Sequence, residues 1–385
     1  MKILTVQLAL MCLCFFAYAQ DKASDYQVDT HAFDSNAGHW YGIKDKHNII
    51  NPKKNQPKYK PNNLAAIGDN ILLYQKNNGG WPKNYDVLAI LTADQKDSLI
   101  KDKANLNTTF DNGTCYTHVA SLAHIYQATK VEKYAEAAIN GLNYIIAAQY
   151  ENGGWPQYFP LQNNYSRHIT YNDDVFTGIM GLLKEVKENK NLYSFLHNTM
   201  RRKVEAAFDK GIDCILQTQI NDFGEITAWC QQHDEVSLKP TWARAFEPPS
   251  ICNGESAGIV LLLMDLDNPS EKVISSVKHA IGWFNESAIL GIRVKVVPAV
   301  ADTSQYTVSH IDRVVVQDAT APPIWTRYYE LQTHRPLFCN RDSKVVYALR
   351  DVARERRSGY GWYTYNPQKV LDRYPAWLKK WEIEK

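Results

Sequence analysis

Long amphipathic stretches recur along this chain, and they constrain its fold more than any other feature. THVASLAHIYQATK, KYAEAAINGLNYIIAAQ and FTGIMGLLKEVKEN carry apolar residues at helical spacing, and so do RKVEAAFDKGIDCILQTQ and SAGIVLLLMDL. Alternating strand patterns are scarce, and the best candidate is ILGIRVKVVPAV, around residues 289–300. The pattern therefore predicts a mainly helical protein.

The loops that follow these stretches indicate an internal repeat. QKNNGGWPKNYD begins at Gln75, QYENGGWPQYFP begins at Gln149, and weaker copies lie at Gln219 and near Gly361. Between the copies, a second helix follows an acidic segment, as in TFDNGTCYTH, TYNDDVFTG and CNGESAGI. This order predicts a helical hairpin repeated about three times. Hairpins placed side by side close most simply into a ring, so we predict one mainly all-α domain. It would be an α/α toroid, an incomplete (α/α)3 barrel with long loops and few short strands.

The first residues have the pattern of an export signal. Lys2 gives a short positive start, Ile3 to Ala17 is almost entirely apolar, and a small-x-small cleavage pattern ends at Ala19. About fifteen apolar residues are too few to span a bilayer comfortably, and no later stretch qualifies as a membrane helix. We therefore predict a cleaved signal peptide and a secreted or periplasmic protein. The divisions would be the signal at 1–19, an irregular Lys-, Asn- and Pro-rich arm at 20–60 and one domain at 61–385.

Charge and cysteine usage narrow the class of protein. A formal net charge of +2 tolerates an acidic polymer as partner but lacks the basic excess of a nucleic-acid-binding protein. Two of the seven cysteines lie in the predicted signal peptide, and the others are irregularly spaced, without the pairs of a zinc site. One or two disulfides stay open from the sequence. With no visible oligomerisation signal, a monomer is the default.

Aromatic residues make up 12% of the chain, with 10 Trp and 23 Tyr. Loops that offer Trp, Tyr, Asn and Gln suit carbohydrate, because sugar rings stack on aromatic faces while hydroxyls meet amides. Trp81 and Trp155, however, recur at the same place in each repeat. Their repetition favours a structural role, in which each locks the turn of its hairpin.

Two acidic turns stand at equivalent places in neighbouring hairpins, Asp111-Asn112 and Asn172-Asp173-Asp174. Asp and Asn are favoured as helix N-caps, so capping is the simplest interpretation of either turn alone. At equivalent positions, however, the two turns would converge on one rim of the domain. Carboxylate and amide oxygens brought together there would suit a hard cation such as Ca2+.

A series of motifs gives the chain its most specific likeness. GGWPKNYD, TFDNGTCYTH, NGGWPQYFP, HITYNDDVF, WCQQHD, TWARAFEPPS, TRYYELQTHRPLFCNRDSKV and RRSGYGWYTYNP follow one another between about residues 61 and 375. In this order they resemble the pectate lyases of polysaccharide lyase family 10. The resemblance implies an α/α toroidal fold and dependence on Ca2+. It also implies an anti β-elimination on α-1,4-linked polygalacturonate or pectin that leaves unsaturated oligogalacturonides.

The resemblance also implies roles for three arginines. Arg244, in TWARAFEPPS, matches the base that removes the C5 proton of the uronate. Free arginine keeps its proton far above neutral pH, so an alkaline optimum would follow. From the residues alone, a substrate clamp or an ion pair with Glu247 is the simpler interpretation. Arg327 and Arg341 match arginines that bind uronate carboxylates, where a planar fork suits the anion. Structural salt bridges are the alternative for both.

The remaining implied site residues are a lysine and three aspartates. Lys83, in WPKN, matches a substrate-binding position, and a solvated lysine is its ordinary alternative. Asp111 and Asp173 match acidic positions that bind calcium. Asp174, next to them, is assigned to substrate binding, with helix capping as its alternative.

Two cysteines depart from the family pattern. Thr114-Cys115 replaces the usual Ala-Thr after the first acidic turn, and Cys252, in PPSICNGES, falls where a Ser- or Gly-rich segment is usual.

Three other functions remain open. A triterpene cyclase would fit the Q-x-x-x-G-x-W repeat but needs an acidic Asp-x-Asp-Asp donor that is not found. A glucuronyl hydrolase of similar fold would use paired carboxylates without calcium. A non-catalytic pectin-binding protein would keep the domain without turnover.

Overall fold

The computed structural model describes residues 26–384, except for 38–39, 42, 44, 46–47 and 304–307. The predicted signal peptide and the start of the predicted arm lie outside these residues. Among the described residues, no helix is both long enough and apolar enough to cross a membrane.

The helices carry most of the regular structure. In chain order they are α1 Asp34–Ala37, α2 Leu64–Tyr74, α3 Ala93–Lys101, α4 Tyr116–Thr129, α5 Glu132–Ala148, α6 Val175–Glu188, α7 Asn198–Thr218, α8 Asn253–Met264, α9 Glu271–Glu286, α10 Arg354–Gly359 and α11 Asn366–Lys380. Helices α4 and α5 pack together, as do α6 with α7 and α8 with α9. Neighbouring pairs also touch, because α4 contacts α6, α6 contacts α8, and α8 contacts α11.

Short strands lie between and after these helices. They are β1 Ile169–Thr170, β2 Asn221–Asp222, β3 Glu225–Ile226, β4 Gln232–His233, β5 Ile251–Cys252, β6 Ile292–Thr303, β7 Val308–Gln317, β8 Trp325–Thr326, β9 Tyr328–Tyr329, β10 Pro336–Cys339, β11 Val345–Val346 and β12 Tyr363–Thr364. The order β11-β10-β9-β5 forms a four-stranded sheet, and the other strands pair as β1-β4, β8-β12, β2-β3 and β6-β7.

The predicted fold class, mainly all-α with an α/α toroid and few short strands, is wrong. The chain is 44% helical with about 15% strand in several small sheets, which makes it a mixed helical and strand fold. Much of the difference comes from β6 and β7, a long antiparallel pair in which Ile292 lies opposite Gln317. Only the β6 half has a visible strand pattern in the sequence. Most of the other strands have two residues, which is too short for any periodicity to appear.

The loop repeat has a structural basis, as the repetition of its tryptophans indicated. Trp81 and Trp155 are fully buried, and each indole N–H donates to a carbonyl of the preceding helix, at 2.8 Å and 2.9 Å. Trp229 makes the same bond at 2.8 Å, so the weaker copy from Gln219 belongs to the repeat. The structural interpretation of the two repeated tryptophans is therefore confirmed.

Glutamine and glycine fix the same loops against the next helix pair. The Gln149 amide donates to the carbonyls of Gly153 (3.0 Å) and Ala207 (2.8 Å), which joins the second loop to α7. Gly153 has a φ of +89°, and a Cβ there would lie 2.0 Å from the carbonyl oxygen of Lys210. Only glycine allows this approach, so the repeated loops hold successive helix pairs in register.

Candidate active site

The two acidic turns meet in the structure. Asp111–Gly113 and Asn172–Asp174 each form a single helical turn just before α4 and α6, and they contact each other. Asn112 (φ 57°) and Asp173 (φ 52°) adopt the left-handed conformation, which Asn and Asp tolerate better than most residues. The turns therefore bring Asp111 and Asp173 to one place, as their sequence positions predicted.

Asp111 is buried and forms an ion pair with Lys83. The pKa of the Asp111 carboxyl is lowered, because the Lys83 ammonium and a Gln157 hydrogen bond outweigh the opposing effect of burial. Burial alone would lower the pKa of Lys83, but the charge of Asp111 raises it instead. The ammonium also lies 5.5 Å from the ring centre of Tyr158. Lys83 is thus a cation fixed by Asp111 rather than a freely solvated lysine.

Asp173 is open to solvent yet crowded by charged neighbours. Desolvation by the surrounding protein and the negative charge of Asp111 raise the pKa of Asp173 to about 7, against the opposing effects of Arg327 and Arg244. Asn172 donates to its carboxylate at 2.8 Å. Because solvent reaches Asp173, a cation or ligand can reach it as well.

Arg244 lies in the irregular loop between β4 and β5 and forms a fork with Glu247. Its Nε donates to Glu247 Oε2 (2.8 Å) and its Nη2 to Oε1 (2.5 Å). Glu247 is almost fully buried and also accepts from the Tyr360 hydroxyl (2.7 Å). Arg244 itself is 42% exposed, and within the described residues its Nη1 makes no hydrogen bond. The fork therefore fixes the guanidinium through Nε and Nη2 and leaves Nη1 available to another partner.

The ion pair also sets the protonation of Arg244. Burial opposes the charged form, but the Glu247 carboxylate outweighs it and raises the pKa of Arg244 above its ordinary value. Conversely, burial would raise the pKa of Glu247, but Arg244, Arg327 and Tyr360 lower it. In the free protein, Arg244 is therefore a guanidinium cation.

Arg327 connects the second acidic turn to the first turn of α8. Its Nη2 donates to Asn172 Oδ1 (2.6 Å) and to Glu255 Oε1 (2.5 Å), and its guanidinium carbon lies 4.8 Å from the ring centre of Tyr360. Its side chain is largely buried, and its Nε is buried without a hydrogen-bond partner in the described structure. Arg327 is therefore a pre-positioned cation beside Asp173.

Arg341 joins the group across an aromatic ring. The guanidinium carbons of Arg244, Arg341 and Arg356 lie 5.0, 5.2 and 4.8 Å from the ring centre of Phe246. Glu355 accepts two bonds from Arg341 (3.0 and 2.9 Å) and two from Arg356 (2.9 and 2.8 Å). These cations make the cleft suited to a polyanion.

Asp174 stands apart from this set. It is exposed, it immediately precedes α6, and its Oδ1 accepts from the Thr177 hydroxyl at 3.4 Å. The side chain of Asp174 makes no capping hydrogen bond, so the alternative of helix capping is not supported, and its assignment to substrate binding stays a prediction.

Comparison with known proteins identifies the family. The family of pectic acid lyases matches residues 75–371. The chain belongs to the pectic acid lyase family. No curated protein sequence gives a significant match.

Two solved structures are similar to it. The family 10 polysaccharide lyase from Cellvibrio cellulosa shares 28% identity, with a TM-score of 0.68 over 83% of this chain and 93% of that one. A mutant of that enzyme, in complex with trigalacturonic acid, shares 28% identity, with a TM-score of 0.67 over 81% of this chain and 92% of that one.

The residues of the two turns have the chemistry of a site for the expected Ca2+. Asp111 Oδ1 is buried and accepts no hydrogen bond in the described structure, although the carboxylate is ionised. Asp173 adds a second, accessible carboxylate whose ionisation Asp111 opposes. A divalent cation would satisfy the free oxygen and relieve this repulsion, so the two aspartates fit a hard cation.

A different cluster of ligand types lies elsewhere. Among the described residues, His168, Asp234 and Glu235 place ligand atoms within 4.8 Å of one another. Glu235 already accepts from Arg167 at 2.6 Å and is 2.8 Å from His168. These ion pairs explain the cluster without a metal.

Several residues of the lyase cleft were missed in the sequence. Tyr360 and Glu355 come from the stretch around α10. Their partners, Glu247 and Arg341, lie about 110 and 15 positions away, and no spacing in the sequence marks either pair. Tyr165 was also missed, and its phenol lies close enough to Arg244 and Lys83 for both cations to affect its pKa. The pairing of Arg244 with Glu247 was the exception, since the two residues are only three positions apart.

Proposed function

We propose that this protein cleaves α-1,4-polygalacturonate by calcium-assisted anti β-elimination, leaving unsaturated oligogalacturonides. The observation that carries the proposal is the arrangement around Arg244. Two of its guanidinium nitrogens are held by Glu247, and the cation lies close enough to Asp111 and Asp173 to favour the ionised form of both, together with Lys83 and Arg327. Membership of the family and the trigalacturonic acid bound by the similar lyase support the choice of substrate.

The cations of the cleft have distinct tasks in this proposal. Arg327 and Arg341 bind uronate carboxylates, since guanidinium forks match that anion. Lys83 contributes a point charge, and its Asp111 partner keeps it in place. Asp174, which is exposed and follows Asp173 directly in the chain, stays a proposed substrate contact. Binding at several successive uronates fixes the scissile bond beside Arg244.

Ca2+ held by Asp111 and Asp173 would neutralise the uronate carboxylate and make the adjacent C5 proton more acidic. Arg244 Nη1 is the proposed acceptor of that proton, in the small fraction of molecules in which Arg244 is neutral. This neutral fraction grows as the pH rises. Because Glu247 raises the pKa of Arg244, the rate should keep rising toward alkaline pH.

One assay tests the proposal. The protein is incubated with polygalacturonate and Ca2+, and the ultraviolet absorbance of the unsaturated uronate is followed. Absorbance should rise, stop when a chelator is added and resume when excess Ca2+ is restored. Arg244→Ala should abolish the signal while binding persists. No signal with or without Ca2+ would refute the lyase proposal, and full activity of Arg244→Lys would refute the role of Arg244 as base.

One observation favours a second candidate, a uronyl hydrolase. Asp111 is kept ionised while Asp173 has a pKa of about 7, and such a split is typical of carboxylate pairs that act as base and acid. A hydrolase would generate reducing ends without ultraviolet absorbance and without Ca2+. Measuring both products in one incubation separates the two reactions.

Export and a monomeric state also remain proposals. The apolar run from Ile3 to Ala17 supports export. Expression with the complete N-terminus should yield protein outside the cytoplasm that begins at Gln20, and a retained N-terminus would contradict the proposal. Elution as a single species at the mass of one chain would support a monomer.

A further inference from the structure

The loop that carries Arg244 begins and ends at two buried cysteines that touch each other. Cys230 lies two residues before β4 begins, Cys252 ends β5, and both are fully buried. The Cys252 amide donates to the Trp229 carbonyl (2.7 Å), and the Gln231 amide donates to the Cys252 sulfur (3.2 Å). The peptide groups on both sides of Cys230 therefore hold Cys252, and the two thiols are within hydrogen-bonding reach.

We propose that Cys230 and Cys252 form a disulfide that closes this loop. A disulfide needs Cα atoms no more than about 7 Å apart and side chains that face each other. Both cysteines are free thiols in the structure, and the two flanking hydrogen bonds and the contact between the thiols already hold the two chain segments side by side, as a disulfide requires. In the described part of the chain, the contacts of Cys115, Cys214 and Cys339 are with other residue types, so the pairing is specific.

The disulfide would constrain the loop that carries the proposed base, Arg244. Between β4 and β5 the chain makes no further regular element, apart from a bridge between His233 and Pro240. A covalent link between the ends of about 20 residues removes conformational freedom from the unfolded chain. It would also keep the two ends together while the exposed Arg244 binds and releases substrate.

The oxidation balances by thiol–disulfide exchange. Each cysteine gives up one hydrogen, and the two electrons reduce one disulfide of an exchange partner, either a small-molecule disulfide or an oxidoreductase, to two thiols. Because both sulfurs are fully buried in the folded protein, the exchange takes place during folding, before the loop packs down.

Peptide mapping tests the link directly. The complete chain is refolded with glutathione disulfide or with a reductant, unfolded in N-ethylmaleimide to block free thiols, and digested with trypsin. Cleavage after Arg244 places the two cysteines on peptides 211–244 and 245–272, and cleavage after Glu225 separates Cys214 from Cys230. We expect the two peptides as one linked species, lighter than their sum by two hydrogens. Complete alkylation of both cysteines in the oxidised sample would overturn the proposal.

Stability provides a second measurement. A reductant should lower the thermal midpoint of the oxidised wild-type protein by about 5 °C. Cys339→Ser, which changes another buried cysteine close to the same loop, should respond as the wild type does. Cys252→Ser should not respond to the reductant. An equal response in both variants would contradict a stabilising link, and the peptide map of the wild type decides the pairing if either variant fails to fold.

Discussion

Glu247→Gln is the change that tests most sharply how Arg244 is held. The carboxylate of Glu247 accepts four hydrogen bonds: three from Arg244, at 3.0, 2.8 and 2.5 Å, and one from the Tyr360 hydroxyl at 2.7 Å. Glutamine has nearly the same shape but a single acceptor oxygen. Whichever way its amide turns, two of these donors face an NH2 group.

The size of the loss follows from the burial of the two partners. Removing one member of a fully buried ion pair costs about 3–5 kcal/mol. Here Glu247 is 1% exposed but Arg244 is 42% exposed, so water replaces part of what the guanidinium loses. We therefore expect the free energy of unfolding to fall by about 2 kcal/mol. Since the fork no longer fixes the Arg244 guanidinium, kcat should fall about tenfold or more, with little change in KM.

A double-mutant cycle separates this interpretation from general damage. Urea unfolding of the wild type, Glu247→Gln, Arg244→Ala and the double variant gives the coupling energy of the pair, which should be about 2 kcal/mol. Glu355→Gln is the matched control, because Glu355 supports Arg341 rather than Arg244, and it should change KM more than kcat. A coupling below about 0.5 kcal/mol, together with a wild-type kcat for Glu247→Gln, would refute the argument.

Three further predictions follow from the structure. Gly153→Ala should lower the free energy of unfolding in urea by about 2 kcal/mol or more, because φ is +89° and the new Cβ meets a helix carbonyl at 2.0 Å. Its control, Gly181→Ala, lies in α6 with no atom within 4 Å of the new Cβ, and it should be neutral or stabilising by about 1 kcal/mol. Lys83→Met leaves its carboxylate partner buried without a cation, so it should cost about 3 kcal/mol in urea unfolding and raise KM for polygalacturonate; unchanged values of both would contradict the role of this pair. Two arginines lower the pKa of Glu355 to about 2, below its unfolded value of about 4.3, so its stabilising contribution should be complete above about pH 4.5 and be lost as the pH falls toward 2. Urea unfolding across this range should show the loss in the wild type and a smaller one in Glu355→Gln.

The helices and their loops could be predicted because their signals are local. Helical spacing in segments such as KYAEAAINGLNYIIAAQ marks α5, and Gln149 and Trp155 mark the loop that follows it. The strand content could not be predicted in the same way. Strands such as β4 and β9 exist because two distant segments meet, and no two-residue run carries that information.

In the candidate site, too, residues with a local sequence signal could be predicted and residues paired over long distances could not. The acidic turns could be found because Asp111 and Asp173 precede helices at equivalent places in the repeat. The partner of Arg327, Glu255, lies 72 residues away, and Tyr360 is 113 residues from Glu247. Such pairs depend on how the segments pack, and a single sequence does not record it.

The two interpretations of Arg244, ion pair and base, do not exclude each other in this geometry. The ion pair uses Nε and Nη2, whereas a base needs one nitrogen that points at the substrate, and Nη1 remains for that purpose. The pair has an electrostatic disadvantage, because Glu247 raises the pKa of the group that must become neutral. Its advantage is orientation, and well-oriented groups in enzymes gain several kcal/mol over freely moving ones. Tyr360 contributes to both effects, since its hydrogen bond stabilises the Glu247 carboxylate and also holds it in place. Glu247 is therefore better explained as the residue that aims Arg244 than as the residue that activates it.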